Sequence, residues 1–167
     1  MTTLIKNGTL ITASDTFQSD ILIEGEKIQE IGKNLQHPNA EVIDATGKFI
    51  MPGGIDPHVH LDLPMFGTVS SDDHYTGHKA AAFGGTTTAM DFVVLEEQGF
   101  KYSADLWMEK SAKAAIDYSF HMNLNRFDDK LAAELPALME MGIQTLKVFT
   151  AYNGKLRLDD GGIFRAL

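Results

Sequence analysis

The sequence predicts an α/β chain, with a small β-rich segment over residues 1–52 and alternating strands and helices over residues 53–167. Three observations predict this. Short apolar, β-branched runs broken by Gly-containing turns fill the first segment. From Gly53 onward, apolar strand-like runs alternate with longer helix-like stretches, the pattern of a parallel sheet covered by helices. The Pro52-Gly53-Gly54 punctuation marks the change between them.

In the first segment, Leu4-Ile5-Lys6 and Thr9-Leu10-Ile11-Thr12 flank Asn7-Gly8, which reads as a two-residue hairpin turn because both positions tolerate positive φ. Asp20–Ile23 and Lys27–Ile31 flank a turn around Gly25. Glu41–Asp44 and Lys48–Met51 flank another around Thr46-Gly47. Six short strands without a helix make a small sheet or half-sandwich. No catalytic constellation stands out in it, and His37, beside Pro38, reads as a solvated loop residue.

Ile55 to Leu61 is the first strand of the second segment, followed by a loop from Asp62 to Ser71. A helix from Asp72 to Phe83 is expected, capped by Ser70 or Ser71 and stopped by Gly84-Gly85. Thr86–Val94 is β-branched and apolar, a buried strand. Ser103 is placed to cap a helix through Asp117. Tyr118–Leu124 is the third strand, and Asp128–Met141 a helix in which Pro136 implies a kink or a late start. Ile143–Thr150 is the fourth strand, and Ile163–Leu167 opens another helix. Four βα steps fit the front half of an eight-stranded barrel. They also fit a small open α/β sheet, and the pattern alone does not choose between the two.

The net charge is −9 and there is no basic block, which argues against nucleic acid or an anionic membrane as partner. The chain has no cysteine, so disulfides and cysteine-ligated zinc are excluded, and a cytoplasmic home is expected. The N-terminus lacks a signal-peptide apolar core, and no run approaches the roughly 18–20 apolar residues of a membrane span.

Chemistry concentrates at Asp56-Pro57-His58-Val59-His60. Side chains alternate along a strand, so His58 and His60 point to one side, where two neutral imidazoles can hold a divalent metal. Lys147 lies in an otherwise mostly apolar strand. Desolvation there would favour the free amine, which can react with CO₂ to give a two-oxygen carbamate ligand. The competing placement is a strand end with the ammonium in solvent. Tyr152, two residues past that strand, could donate to a developing oxyanion or simply pack. Asp62 reads as a loop cap or an orienter of the histidines. His74 and His78, at i, i+4, lack the Glu of a His-Glu-x-x-His motif and read as a solvated helix face. His121 and Asp91 read as hydrogen-bonded core groups.

Pro52-Gly53-Gly54-Ile55-Asp56-Pro57-His58-Val59-His60, then Gly67-Thr68-Val69, Ala80-Ala81-Ala82-Phe83-Gly84-Gly85-Thr86-Thr87-Thr88 and Leu146-Lys147-Val148-Phe149-Thr150-Ala151-Tyr152, together resemble the dihydropyrimidinase/hydantoinase branch of the amidohydrolase superfamily. The resemblance runs over essentially the whole chain. It implies the first half of a metal-dependent (β/α)8 amidohydrolase barrel (residues 53–167) preceded by an incomplete β-sandwich domain (residues 1–52). The implied reaction is hydrolysis of a cyclic amide, opening a dihydropyrimidine or hydantoin ring to an N-carbamoyl amino acid. It further implies two divalent ions, usually zinc. His58 and His60 would bind one ion, and N6-carboxylated Lys147 would bridge both. Tyr152 would be the catalytic residue that holds the substrate carbonyl, and Leu63, Met65 and Phe66 would shape the pocket for the exocyclic group. A cyclic ureide or imide substrate and a homo-oligomer, a tetramer in this family, are the implied partners. Related dihydroorotases carry Arg two residues past the His-x-His; here that residue is Asp62.

Members of this branch are well over twice as long and draw two more metal-binding histidines and a catalytic aspartate from later strands. The expectation is therefore a truncated front half, inactive alone. The alternative is a non-catalytic interaction protein of the same fold, or an inactive half-barrel fragment.

Overall fold

The computed structural model describes residues 1–65 and 67–167. They form two compact units, Met1–Pro52 and Gly53–Leu167.

In the first unit, β1 (Thr2–Ile11), β2 (Thr16–Glu24), β3 (Lys27–Gly32) and β4 (Glu41–Asp44) lie in the order β3-β2-β1-β4, and β5 (Phe49–Ile50) also pairs with β1. β2 runs antiparallel to β1 and β3, whereas β4 and β5 run parallel to β1. Leu4, Leu10, Ile21 and Leu22 supply its buried apolar face. The expected turn at Asn7-Gly8 is not a turn. β1 passes straight through it as one strand with a register shift between Ile5 and Gly8. Asn7 takes φ 64°, and its N–H donates to the buried Asp20 carboxylate at 2.8 Å, so the local preference for positive φ produces a bulge instead of a reversal. The turn at Gly25 is present. Thr46-Gly47 does turn the chain, but β4 and β5 each pair with β1 and not with each other.

The second unit is built on four parallel strands in the order β11-β10-β9-β6. These are β6 (Gly54–Val59), β9 (Thr86–Val93), β10 (Asp117–Leu124) and β11 (Leu146–Val148); a small hairpin, β7 (Pro64–Met65) and β8 (Thr68–Val69), interrupts the loop after β6. Helices α1 (His74–Phe83), α2 (Phe100–Lys110) and α3 (Asp129–Glu140) join successive sheet strands, and α4 (Asp160–Ala166) follows β11. This is an α/β half-barrel sheet of parallel strands. Its core joins Val93, Phe100, Trp107, Phe120, Met122 and Leu131, all essentially inaccessible.

The helix ends differ from expectation in instructive ways. Asp73, not Ser70 or Ser71, caps α1: its carboxylate accepts the N–H groups of Tyr75 and Thr76, and Thr76 Oγ1 accepts the Asp73 N–H. Ser70 is committed to the loop, where Oγ accepts the Leu63 N–H and donates to the Asp72 carbonyl. Ser103 lies inside α2, its Oγ donating to the Gly99 carbonyl and accepting the Glu96 N–H. α2 ends at Lys110 in a 3₁₀ turn (Ser111–Lys113), short of Asp117. Pro136 lies within α3, which starts at its Asp128 cap with no delay. No helix among the described residues is long and apolar enough to cross a membrane.

Candidate functional site

The C-terminal end of the half-barrel sheet carries the polar residues singled out in the sequence. Pro57 cannot donate to the ladder, and the register of β6 against β9 shifts between Asp56 and Val59. Within and just past this irregularity His58 and His60 bring their Nε2 atoms to 3.3 Å, with the two rings edge to face. Both rings lie on Phe92 of β9, at centroid distances of 4.5 and 5.0 Å. His121 of β10 stacks on the same ring at 4.9 Å, and Lys147 Nζ stands 4.9 Å from its centroid. Phe92 is thus a shared apolar floor under three imidazoles and one amine.

Two nitrogens bound tetrahedrally to one zinc ion at its usual bond length stand about 3.3 Å apart. The His58–His60 separation is therefore that of two ligands of a single divalent ion. Partial desolvation holds the His60 imidazole below its ordinary pKa; Asp91 opposes this, while His58 and Lys147 add to it. The neutral ring so favoured is the form that coordinates a metal. His121 faces the same ring, but its nitrogens are engaged by Thr145 Oγ1 and the Pro57 carbonyl. Among the described residues no group of three or more His, Cys, Asp or Glu side chains is gathered for a metal. A further donor within reach of the same ring is Lys147, which is half-buried and also lies over Phe149, at 5.1 Å.

A cavity of about 380 Å³ opens beside the pair, lined by His60, Leu63, Met65, Asn123 and Tyr152, among others. Leu63 is buried and Met65 partly exposed; Phe66 lies outside the described residues. Tyr152 takes φ 66°, its ring meets Phe149 edge to face, and its carbonyl accepts the Lys155 and Leu156 N–H groups, which curls the loop over the cavity. Sequence reasoning missed Asn123. The signal was available: it follows His121 by two residues on the same strand face, and the β10–β11 register sets it opposite Lys147.

His74 and His78 are a correction. They do not form a solvated face; both are buried, at 0% and 1% exposure. His74 Nδ1 is 3.3 Å from Asp62 Oδ2, and its Nε2 is 3.3 Å from Asp91 Oδ2. Asp91 is buried as expected and accepts the Leu61 N–H. Lys113 Nζ joins Asp62 and Asp73, at 3.4 and 2.8 Å.

No protein-family model matches the chain. A D-hydantoinase of Geobacillus stearothermophilus is 49% identical over 170 residues, taking in 100% of this chain and 36% of its own length. A dihydropyrimidinase of Arabidopsis thaliana is 37% identical over 166 residues, with 98% of this chain and 31% of its own length aligned. The crystal structure of a dihydropyrimidinase from Brevibacillus agri superposes with a TM-score of 0.97 at 49% identity, covering 100% of this chain and 37% of that one. By sequence and fold, this chain is related to the D-hydantoinase/dihydropyrimidinase family. It matches the N-terminal portion of that family and spans about a third of the length of the curated relatives it matches. The hydantoinase and dihydropyrimidinase relatives are hydrolases by family.

Proposed function

We propose that the protein carrying these residues hydrolyses a cyclic amide, opening a hydantoin or dihydropyrimidine ring to an N-carbamoyl amino acid. The observation that carries the reading is the 3.3 Å convergence of the His58 and His60 Nε2 atoms over Phe92, with Lys147 on the same ring. His58 and His60 would hold a divalent ion such as zinc, and Lys147, carboxylated by CO₂, would supply carbamate oxygens as a further ligand. Bound ions supply Lewis acidity toward an amide carbonyl and activate water at neutral pH. Tyr152 donates its phenolic proton in a hydrogen bond to the substrate carbonyl oxygen as negative charge develops there. Leu63 and Met65, which line the cavity, form the apolar wall against the exocyclic group of a small cyclic ureide or imide; Phe66, expected to share that role, lies outside the described residues.

The parent architecture is a (β/α)8 barrel, with residues 53–167 as its front half and residues 1–52 as part of a β-sandwich. Two imidazoles and one lysine are too few donors for two ions, so the 167 residues by themselves do not turn substrate over. Homo-oligomeric (tetrameric) assembly and a cytoplasmic location complete the reading; the absence of cysteine supports the latter. Metal analysis and ring-opening assays on hydantoin and dihydrouracil test it. The expected result is metal bound to this chain and lost in His58→Ala, without turnover. Metal unaffected by His58→Ala removes the assigned ligand, and turnover by the 167 residues alone removes the inactivity.

A further inference from the structure

The buried pair His74 and Asp91 lies on the opposite side of β9 from the histidine floor. Phe92 faces His58 and His60, while Asp91, one residue earlier, is 3.3 Å from His74 of α1. One Asp91 oxygen, Oδ2, accepts the N–H of Leu61 at 3.3 Å, so the residue that follows His60 is tied to this side. His74 then reaches Asp62 Oδ2 through its other nitrogen. Asp62 is held in the left-handed region at φ 49°, its N–H donating to the Asp72 carbonyl and its own carbonyl accepting Lys110 Nζ at 3.0 Å. The Leu61 side chain is buried where α1 comes so close that a Cβ on Gly77 would stand 2.5 Å from Leu61 Cδ2. The chain leaving His60 is therefore fixed at two successive residues, and His74 lies against both carboxylates at 3.3 Å, its Nε2 approach to Asp91 being an ion-pair contact and not a hydrogen bond.

We propose that His74, acting through Asp91 and Asp62, is a positioning residue that sets the exit of the His58–His60 strand and thereby keeps the two Nε2 atoms at metal-ligand spacing. It touches neither ligand. Its effect passes through the backbone at Leu61 and the left-handed turn at Asp62, a non-glycine conformation that costs energy unless its surroundings hold it. Groups that orient metal ligands from outside typically change metal affinity by about 10- to 100-fold when removed. This inference rests on the metal reading proposed above for its functional consequence, but the positioning itself is observable without metal.

His78 is the internal control. It is equally buried, lies one helical turn from His74 and meets its ring edge to face, yet among the described residues it forms no ion pair, whereas each His74 nitrogen stands 3.3 Å from a carboxylate oxygen. The experiment compares His74→Gln, Asp91→Asn and His78→Gln in this chain by thermal melting, Leu61 amide hydrogen exchange without metal, and Co²⁺ titration. The expected result is Leu61 exchange at least about tenfold faster and Co²⁺ affinity about tenfold lower in His74→Gln and Asp91→Asn. His78→Gln should lower the melting temperature while leaving both other readouts near wild type. If His74→Gln does not fold, His74→Asn carries the same comparison, since Asp91, which accepts the Leu61 N–H itself, then stays in place. Wild-type Leu61 exchange in folded Asp91→Asn and His74→Gln overturns the inference, and so does an equal change in His78→Gln. Should the wild-type chain bind no Co²⁺ through His58 and His60, the metal reading fails, and Leu61 exchange still decides the positioning role.

Discussion

The carboxylate of Glu134, in the second turn of α3, accepts the backbone N–H of Phe100, the first residue of α2, at 2.7 Å. The N-cap residue of α2 is Gly99, at φ 110°, and it offers no side chain. A helix begins with N–H groups that lack intrahelical partners, and a carboxylate there also meets the positive end of the helix dipole. Glu134 therefore does from a distant helix what a Ser or Asp does locally. Glu134→Ala should cost about 1 kcal/mol. Glu134→Gln, which keeps an acceptor oxygen but no charge, should cost less. Urea unfolding measures both, and wild-type midpoints in both variants would show that the contact contributes nothing. Gly99→Ala should be worse than either, because its Cβ would stand 2.7 Å from both carboxylate oxygens in a backbone conformation that only glycine adopts freely.

His78 makes the fold sensitive to mild acid. Burial lowers its pKa below the ordinary 6.5, and the neighbouring His74 lowers it further, with Asp91 opposing. The unfolded chain takes up a proton near pH 6.5 while the native ring resists it. Stability from this group is thus full above that pH and is lost as pH falls through the depressed native value. Unfolding midpoints at pH 7.5 and 5.5 should differ less in His78→Gln than in the wild type. An unchanged pH slope in that variant would assign the sensitivity elsewhere.

Much of the second unit was legible because its strands announce themselves locally. Thr86–Val93 and Asp117–Leu124 fall within a residue or two of their expected limits, since β-branched and aromatic residues crowd both. What failed had partners far along the chain. Asn7-Gly8 has the composition of a hairpin turn, but the buried Asp20 carboxylate waits 13 residues away to satisfy a bulge. His74 and His78 look solvated by spacing, and only the fold brings Asp62 and Asp91 against His74. The same limit hid Glu134 as a cap and left Asn123 out of the cavity lining. At the site, the alternation that sends His58 and His60 to one side was readable, whereas the Phe92 floor beneath them was not.

Lys113 and Asp73 give a second, more acidic transition. The Lys113 hydrogen bond, followed by the Thr76 N–H, holds the Asp73 carboxyl well below its ordinary value of 3.8, and Asp73 in turn raises Lys113. A carboxylate with a depressed native pKa contributes stability above 3.8 that disappears as pH falls through the native value. Because Asp73 also caps α1, its protonation weakens that helix start directly. Lys113→Ala should lower stability near neutrality, by no more than the small worth of an exposed ion pair, and the difference from wild type should shrink as pH falls through the native Asp73 value. Urea unfolding followed by circular dichroism from pH 2 to neutrality reads this. Equal stability of the two proteins throughout would mean that the backbone N–H groups alone hold Asp73 down.

The lysine on β11 separates ligand from packing most sharply. Lys147 sits over Phe92 and Phe149, contacts of a kind worth about 0.5–1 kcal/mol each when solvent-accessible. If packing is its whole role, Lys147→Ala should lower the melting temperature modestly and leave the metal content alone, since His58 and His60 already converge without it. If Lys147 supplies carbamate oxygens, the same variant should lose bound metal almost completely, here and in any longer protein containing these residues. A short carboxylic acid such as acetate or propionate should then restore part of it by placing two oxygens where the side chain has been removed. Lys147→Arg would keep the cation over the rings but cannot form the carbamate, so it should retain stability and still lose metal. Metal content measured with and without added acid decides the matter, and full occupancy in Lys147→Arg would end the ligand role.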